Sequence, residues 1–192
     1  MSKAYISGVA QYLPQAETTF DKFHATQLVT EALNEVRRKE HAAGGTLSGV
    51  LTGSRYALLK NPANQTESQA ILAKIIALPE LNLKTGRAYR LKLAFQDAYQ
   101  QPGEAGVTAL TAWCRWAQRS RLPDFQRVAR TVRAHWDGIT RYFTSGLTNA
   151  ILEGINSLVQ SAKARARGFR NVENLIAMVY LIAGRLTMPA LK

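Results

Sequence analysis

The chain has 192 residues, enough for one domain, or one domain carrying an insertion, and for a sizeable core. Its hydrophobic fraction of 46% excludes a disordered chain, and its single cysteine, Cys114, excludes a disulfide framework and suits a reducing cytoplasm. The net charge of +12 selects polyanions as partners and is unevenly placed: residues 1–112 hold 12 Lys/Arg against 9 Asp/Glu, and residues 113–192 hold 13 against 4.

In chain order, residues 2–13 read as a short helix stopped by Pro14, with Ile6, Val9 and Ala10 on one side. Residues 17–20, ETTF, are the best strand candidate. A lone strand cannot make a sheet, so residues 1–42 are expected to lack packing partners and to exchange their amides quickly. From Asp21 the period turns helical, with Leu28, Val29, Ala32, Leu33 and Val36 as the buried stripe and Gly44 and Gly45 as the stop. Thr66 and Gln69 have capping-box spacing and open a helix carrying Ile71, Leu72, Ile75 and Ile76, which Pro79 closes. Ala88, Leu91 and Phe95 mark the next helix, and Val107, Leu110, Trp113 and Ala117 the one after. Cys114, between Trp113 and Trp116, reads as a core residue. Pro123 suits the first turn of a long helix carrying Val128, Val132, Trp136 and Ile139. Asn171 can cap a last apolar helix through Leu175, Ile176, Val179 and Ile182. The apolar run 177–183 is too short to span a bilayer, and Ser7, Gly8 and Gln11 interrupt any signal-peptide core.

Residues 148–170 keep two faces apart. Asn149, Glu153, Asn156, Gln160, Lys163 and Arg167 fall on one stripe; Ile151, Ile155, Leu158, Ala162 and Ala166 fall opposite. Thr148 reads as the N-cap and Gly168 as the C′ residue. In a continuous helix Glu153 and Arg167 lie roughly 21 Å apart along the axis.

Several motifs occur in one order along the chain. They are M-S-x-A-Y-x-x-G-V, L-P-x-A, F-D-K-F-H, S-R-Y-A-L-L-K-N-P, A-Y-x-L-K, S-x-L-P-x-F, H-W-x-G-I, T-N-x-x-x-E-G-x-N-S and K-x-x-A-R-G-F-R. This series resembles the C-terminal half of the ISL-three group of bacterial insertion-sequence transposases, which use an Asp-Asp-Glu (DDE) site. The resemblance runs from Met1 to about Gly184. It implies a mainly α chain, an α+β remnant: the C-terminal part of a ribonuclease-H-like fold with a large all-α insertion. Residues 1–42 would be partial core (helix, strand, helix), 43–145 the insertion, and 146–192 the closing helices.

The resemblance implies two-metal phosphodiester chemistry with Mg²⁺ or Mn²⁺, hard ions that carboxylate oxygens suit. Glu153 matches the third acid and would be both a catalytic residue and a metal ligand. The first aspartate lies on a strand with no counterpart here, and the second lies immediately before the Met-Ser matched by Met1 and Ser2. The resemblance thus implies a truncated copy that is inactive alone. Asp21-x-x-His24 resembles a supporting motif that follows the second acid; equally, Asp21 can cap the helix from Lys22 while His24 packs locally. His41 and His135 have no metal-ligand spacing to each other, to His24 or to Cys114.

Lys163, Arg165, Arg167 and Arg170 form the densest basic cluster, with Phe169 inside it. They would contact phosphates of double-stranded DNA at transposon ends, or form a solvated helix end interacting with the helix dipole. Asn149 and Asn156 would contact DNA or orient Glu153, or be plain exposed polar residues. The resulting expectation is DNA transposition by a cytoplasmic, nucleoid-associated bacterial protein with no membrane contact. Full-length transposase is a second expected partner, and self-association stays open. The alternatives are a non-catalytic DNA-binding or transposase-binding regulator, and a decayed gene product.

Overall fold

In the computed structural model, which describes residues 3–146 and 150–184, the chain divides into two units, Met1–Leu147 and Thr148–Lys192. The first begins with α1 (Lys3–Tyr12), which stops ahead of Pro14, whose ring and missing N–H cannot continue a helix. Residues 17–20 do not form the expected strand, and no strand occurs among the described residues. Four contacts hold this segment without a sheet. The Phe20 amide donates to the Gly138 carbonyl at 2.8 Å. The Arg141 guanidinium donates to the Thr18 carbonyl at 2.7 Å and pairs with Glu17 at 3.0 Å. The Phe20 ring stands edge-on to His135 at 5.2 Å, over Gly138, where any Cβ would come within 2.5 Å of the ring. Strand propensity is a preference for a pleated, half-buried surface, and here helix contacts supply the burial.

Asp21 then starts the longest helix, α2 (Lys22–Ala42), by accepting from the Phe23 amide at 3.1 Å. Its predicted stripe is largely as expected: Val29, Ala32, Leu33 and Val36 are buried with Ala25, and Leu28 is half-buried. Gly44 and Gly45 follow with positive φ. The idea that residues 1–42 lack a packing surface is therefore corrected for α2, which lies in the middle of a helical core.

Around α2 stand α3 (Arg55–Leu59), α4 (Glu67–Ala77), α5 (Lys84–Ala98), α6 (Gly103–Arg119), α7 (Pro123–Ala134) and α8 (Trp136–Ser145). α2 packs on α5 and α7, α5 on α6, and α6 on α7 and α8, which gives one continuous core. Phe95, Leu91, Leu110, Trp113, Phe125 and Ile139 are almost wholly buried in it. Cys114 is buried as expected, and burial pushes its thiol pKa up. Trp116, by contrast, is exposed.

Two expectations need correction. The capping box at Thr66 and Gln69 is present, but α4 buries Ala73 and Ile76 while Ile71 and Ile75 stay largely exposed. Gly86 of α5 sits where a Cβ would fall on the Ile76 carbonyl oxygen, so the α4–α5 approach is centred on Ile76. The single long helix expected after Pro123 breaks at His135, whose φ of −120° and ψ of 29° are not helical. The break lets α7 follow α2 while α8 turns onto α6.

In the second unit α9 (Ala150–Arg165) and α10 (Val172–Ala183) pack on each other. The Asn171 side chain accepts from the Glu173 amide at 2.8 Å and caps α10, as its sequence predicts. No residue described there is fully buried.

Candidate nucleic-acid interface

α9 places an acid at one end and bases at the other. Glu153 lies in its first turn and Lys163 and Arg165 in its last, and all three side chains are exposed. Each charge complements the helix dipole at its own end, which stabilises the helix without requiring a partner. Asn156 is exposed on the same helix. Asn149 and the expected cap Thr148 lie outside the described residues.

The helix ends earlier than the sequence suggests. The Gly168 amide donates to the Lys163 carbonyl at 2.9 Å and the Arg167 amide to the Ala164 carbonyl at 3.1 Å. This is the paired-bond helix stop in which the residue at C′ is left-handed. That residue is Arg167, with φ of 52°, and Gly168 follows it with φ of 93°. Arg167 thus stands in the place expected for Gly168, and the stripe from Glu153 does not continue straight to it. Arg167 and Arg170 are exposed beyond the helix end, with Phe169 half-buried between them.

Asp21 and His24 belong to the first unit. Asp21 is the N-cap of α2, while His24 is exposed with its ring 6.0 Å from that of Phe23. Among the described residues no three His, Cys, Asp or Glu side chains come together as metal ligands. The described groups therefore do not by themselves assemble the ligand set that a pair of Mg²⁺ or Mn²⁺ ions would need.

The basic excess of residues 113–192 includes a second region, on the first unit. Over residues 113–147 the chain has seven arginines against two aspartates, and Arg115, Arg119, Arg121, Arg127, Arg130 and Arg133 are exposed on α6, α7 and the turn between them. The signal was in the charge count; what hid it is that α6 and α7 also supply core, so each reads first as a packing helix.

No helix among the described residues is long and apolar enough to cross a membrane. The chain is thus a basic, mainly helical protein with a carboxylate-to-cation helix in its second unit. A family model described as a transposase matches residues 1–179. The chain belongs to that family, the ISL-three group of insertion-sequence transposases. It is 32% identical over 207 aligned positions to the transposase for insertion sequence element IS1557 of Mycobacterium tuberculosis, covering 94% of this chain and 46% of that protein. It is 26% identical over 185 positions to the transposase for insertion sequence element IS1001 of Bordetella parapertussis, covering 90% of this chain and 43% of that protein. The chain thus spans about half the length of the curated relatives it matches. No solved structure matches it.

Proposed function

We propose that this chain is the C-terminal, DNA-engaging part of a DDE transposase acting on transposon ends, with Glu153 as the third acid of the catalytic site. One observation carries the reading: Glu153 sits exposed in the first turn of α9, inside the T-N-x-x-x-E-G-x-N-S motif and inside the matched region. The complete site would use Mg²⁺ or Mn²⁺ to activate water and a DNA 3′-hydroxyl for attack on phosphodiesters. Residues 1–42 and 146–192 would be remnants of a ribonuclease-H-like core around the all-α insertion 43–145. Lys163, Arg165, Arg167 and Arg170 would bind backbone phosphates of double-stranded DNA, with Asn156 and Asn149 beside Glu153. Asp21 and His24 would be the supporting motif that the resemblance implies. Full-length transposase is the second partner in this reading, and the setting is the bacterial cytoplasm.

For the 192-residue chain alone, binding without cleavage is the expected behaviour, because no residue of it matches either aspartate of the motif. The lack of three converging ligand side chains among the described residues favours such a regulator-like role for the isolated chain. Incubation with duplex DNA bearing the element's ends and Mg²⁺ or Mn²⁺ is expected to give neither nicking nor strand transfer. Metal-dependent cleavage that disappears in Glu153→Gln would overturn this. DNA affinity should fall with salt at a log–log slope of about −0.9 per neutralised phosphate. Changing the four cations of the α9 end together to Ala should flatten that slope by about three units.

A further inference from the structure

The first unit contains a cleft of about 340 Å³ where the end of α2, the start of α5 and the α6–α7 turn meet. Lys39, Lys84 and Arg121 line it, together with Glu40 and Asp124. Both carboxylates already have partners. Asp124, 4% exposed, takes Lys39 on one oxygen at 2.8 Å and Arg127 on the other at 3.0 Å. Glu40 accepts the Lys84 amide on one oxygen at 2.8 Å and the Thr85 amide on the other at 2.7 Å, which caps α5.

The cations are not used up in the same way. The side chains of Lys84 and Arg121 are exposed, and among the described residues neither has a hydrogen-bond or ion-pair partner. Lys39 and Arg127 each keep donors beyond the one that reaches Asp124. Three lining cations against two carboxylates leave the cleft net positive, and Arg127, which does not line it, adds a further cation on Asp124. The Arg121 backbone is left-handed, with φ of 57°, a conformation that residues other than glycine seldom adopt. Cations from three separate elements around one hollow suit a tetrahedral oxyanion, which offers oxygens in several directions.

We propose that this cleft is a phosphate-binding subsite that holds a backbone phosphate of duplex DNA, in addition to any phosphate that the basic end of α9 takes. That the phosphate comes from DNA rests on the transposase reading; that the cleft takes a phosphate does not. A phosphate contact at such a place fixes the position of the duplex on the helical unit and reads no sequence.

The test uses the whole chain with Arg121→Gly and Lys84→Gln combined. Glycine suits the left-handed turn, and the Lys84 change leaves the amide that Glu40 caps, so the variant should fold. Two readouts separate the sources of phosphate. In the first, inorganic phosphate should raise the thermal midpoint of the unaltered chain above that in chloride at equal ionic strength, and the variant should lose this rise. In the second, the salt slope of duplex DNA binding should shrink by about one to two units in the variant. A variant that matches the unaltered chain in both overturns the proposal. Loss of the phosphate response with an unchanged DNA slope overturns the assignment to DNA. A chain that binds no DNA but still responds to phosphate through Arg121 and Lys84 supports the subsite and overturns the transposase reading of its ligand.

Discussion

Lys92 is 1% exposed, yet its ammonium donates to the carbonyls of Leu58, Leu59 and Lys60 at 2.7, 3.1 and 2.7 Å. These carbonyls end α3, where the helix offers them no N–H donors of its own and its dipole favours a cation. Burial pushes the Lys92 pKa down to about 8 from the ordinary 10.5. Lys92→Met keeps the apolar stem and leaves buried carbonyls unpaired, an expected loss of about 3 kcal/mol in urea unfolding. The pH response has a definite sign. Above about pH 8 the folded chain sheds this proton first, while the unfolded chain keeps it to about 10.5, so stability rises across that window. Urea midpoints on either side of the window should show the rise in the unaltered chain and not in Lys92→Met. An equal rise in both would assign it to another group.

At the scale of the element, the end of α9 opposes two demands on one residue. Arg167 at C′ pays for a left-handed backbone, worth about 1 kcal/mol for a side chain with a Cβ. Arg167→Gly should therefore raise the thermal midpoint followed by helical circular dichroism while weakening DNA binding. A lower midpoint would mean that the arginine side chain itself holds the helix end. The sequence made Gly168 the natural C′ residue because glycine is the usual one there; the hydrogen bonds put the stop one residue earlier. Elsewhere local pattern reports a helix but not its covered face. The α2 stripe was legible because helix and core agree along it, whereas Ile71 and Ile75 of α4 point away from a contact made by Ala73 and Ile76. The break at His135 has no proline or glycine at its centre to announce it. Glu153 stands out as a candidate through its motif alone, since one exposed acid in a first turn is ordinary. The cleft was not legible at all, because Lys39, Lys84 and Arg121 come together only through the packing of α2, α5 and the α6–α7 turn.

For the whole molecule, the contrast between the units predicts a pattern of amide exchange. The first unit has a continuous core to which α2, α5, α6 and α7 all contribute, and the described part of the second has no fully buried residue. Exchange should be slowest in those four helices and fast in α9 and α10, since protection follows burial and cooperative packing. α2 should exchange as slowly as α5. Fast exchange through α2, with α5 protected, would separate residues 22–42 from the core in which they are seen to pack. Slow exchange in α9 would mean that contacts beyond its pairing with α10 protect it.

The segment before Asp21 carries a consequence for any larger assembly. Its Phe20 amide and its Thr18 carbonyl are already committed to Gly138 and Arg141. An amide hydrogen serves one strong acceptor at a time, so a neighbouring β-strand that recruited this stretch would compete with the helix for the same atoms. Joining a sheet through the Phe20 amide would then be an exchange rather than a simple gain: Phe20 would have to leave Gly138, while the Thr18 carbonyl, whose oxygen has two lone pairs, would have to be shared with Arg141. Residues 17–20 are in that sense a latch already closed on α8, and an incoming strand would have to open it first.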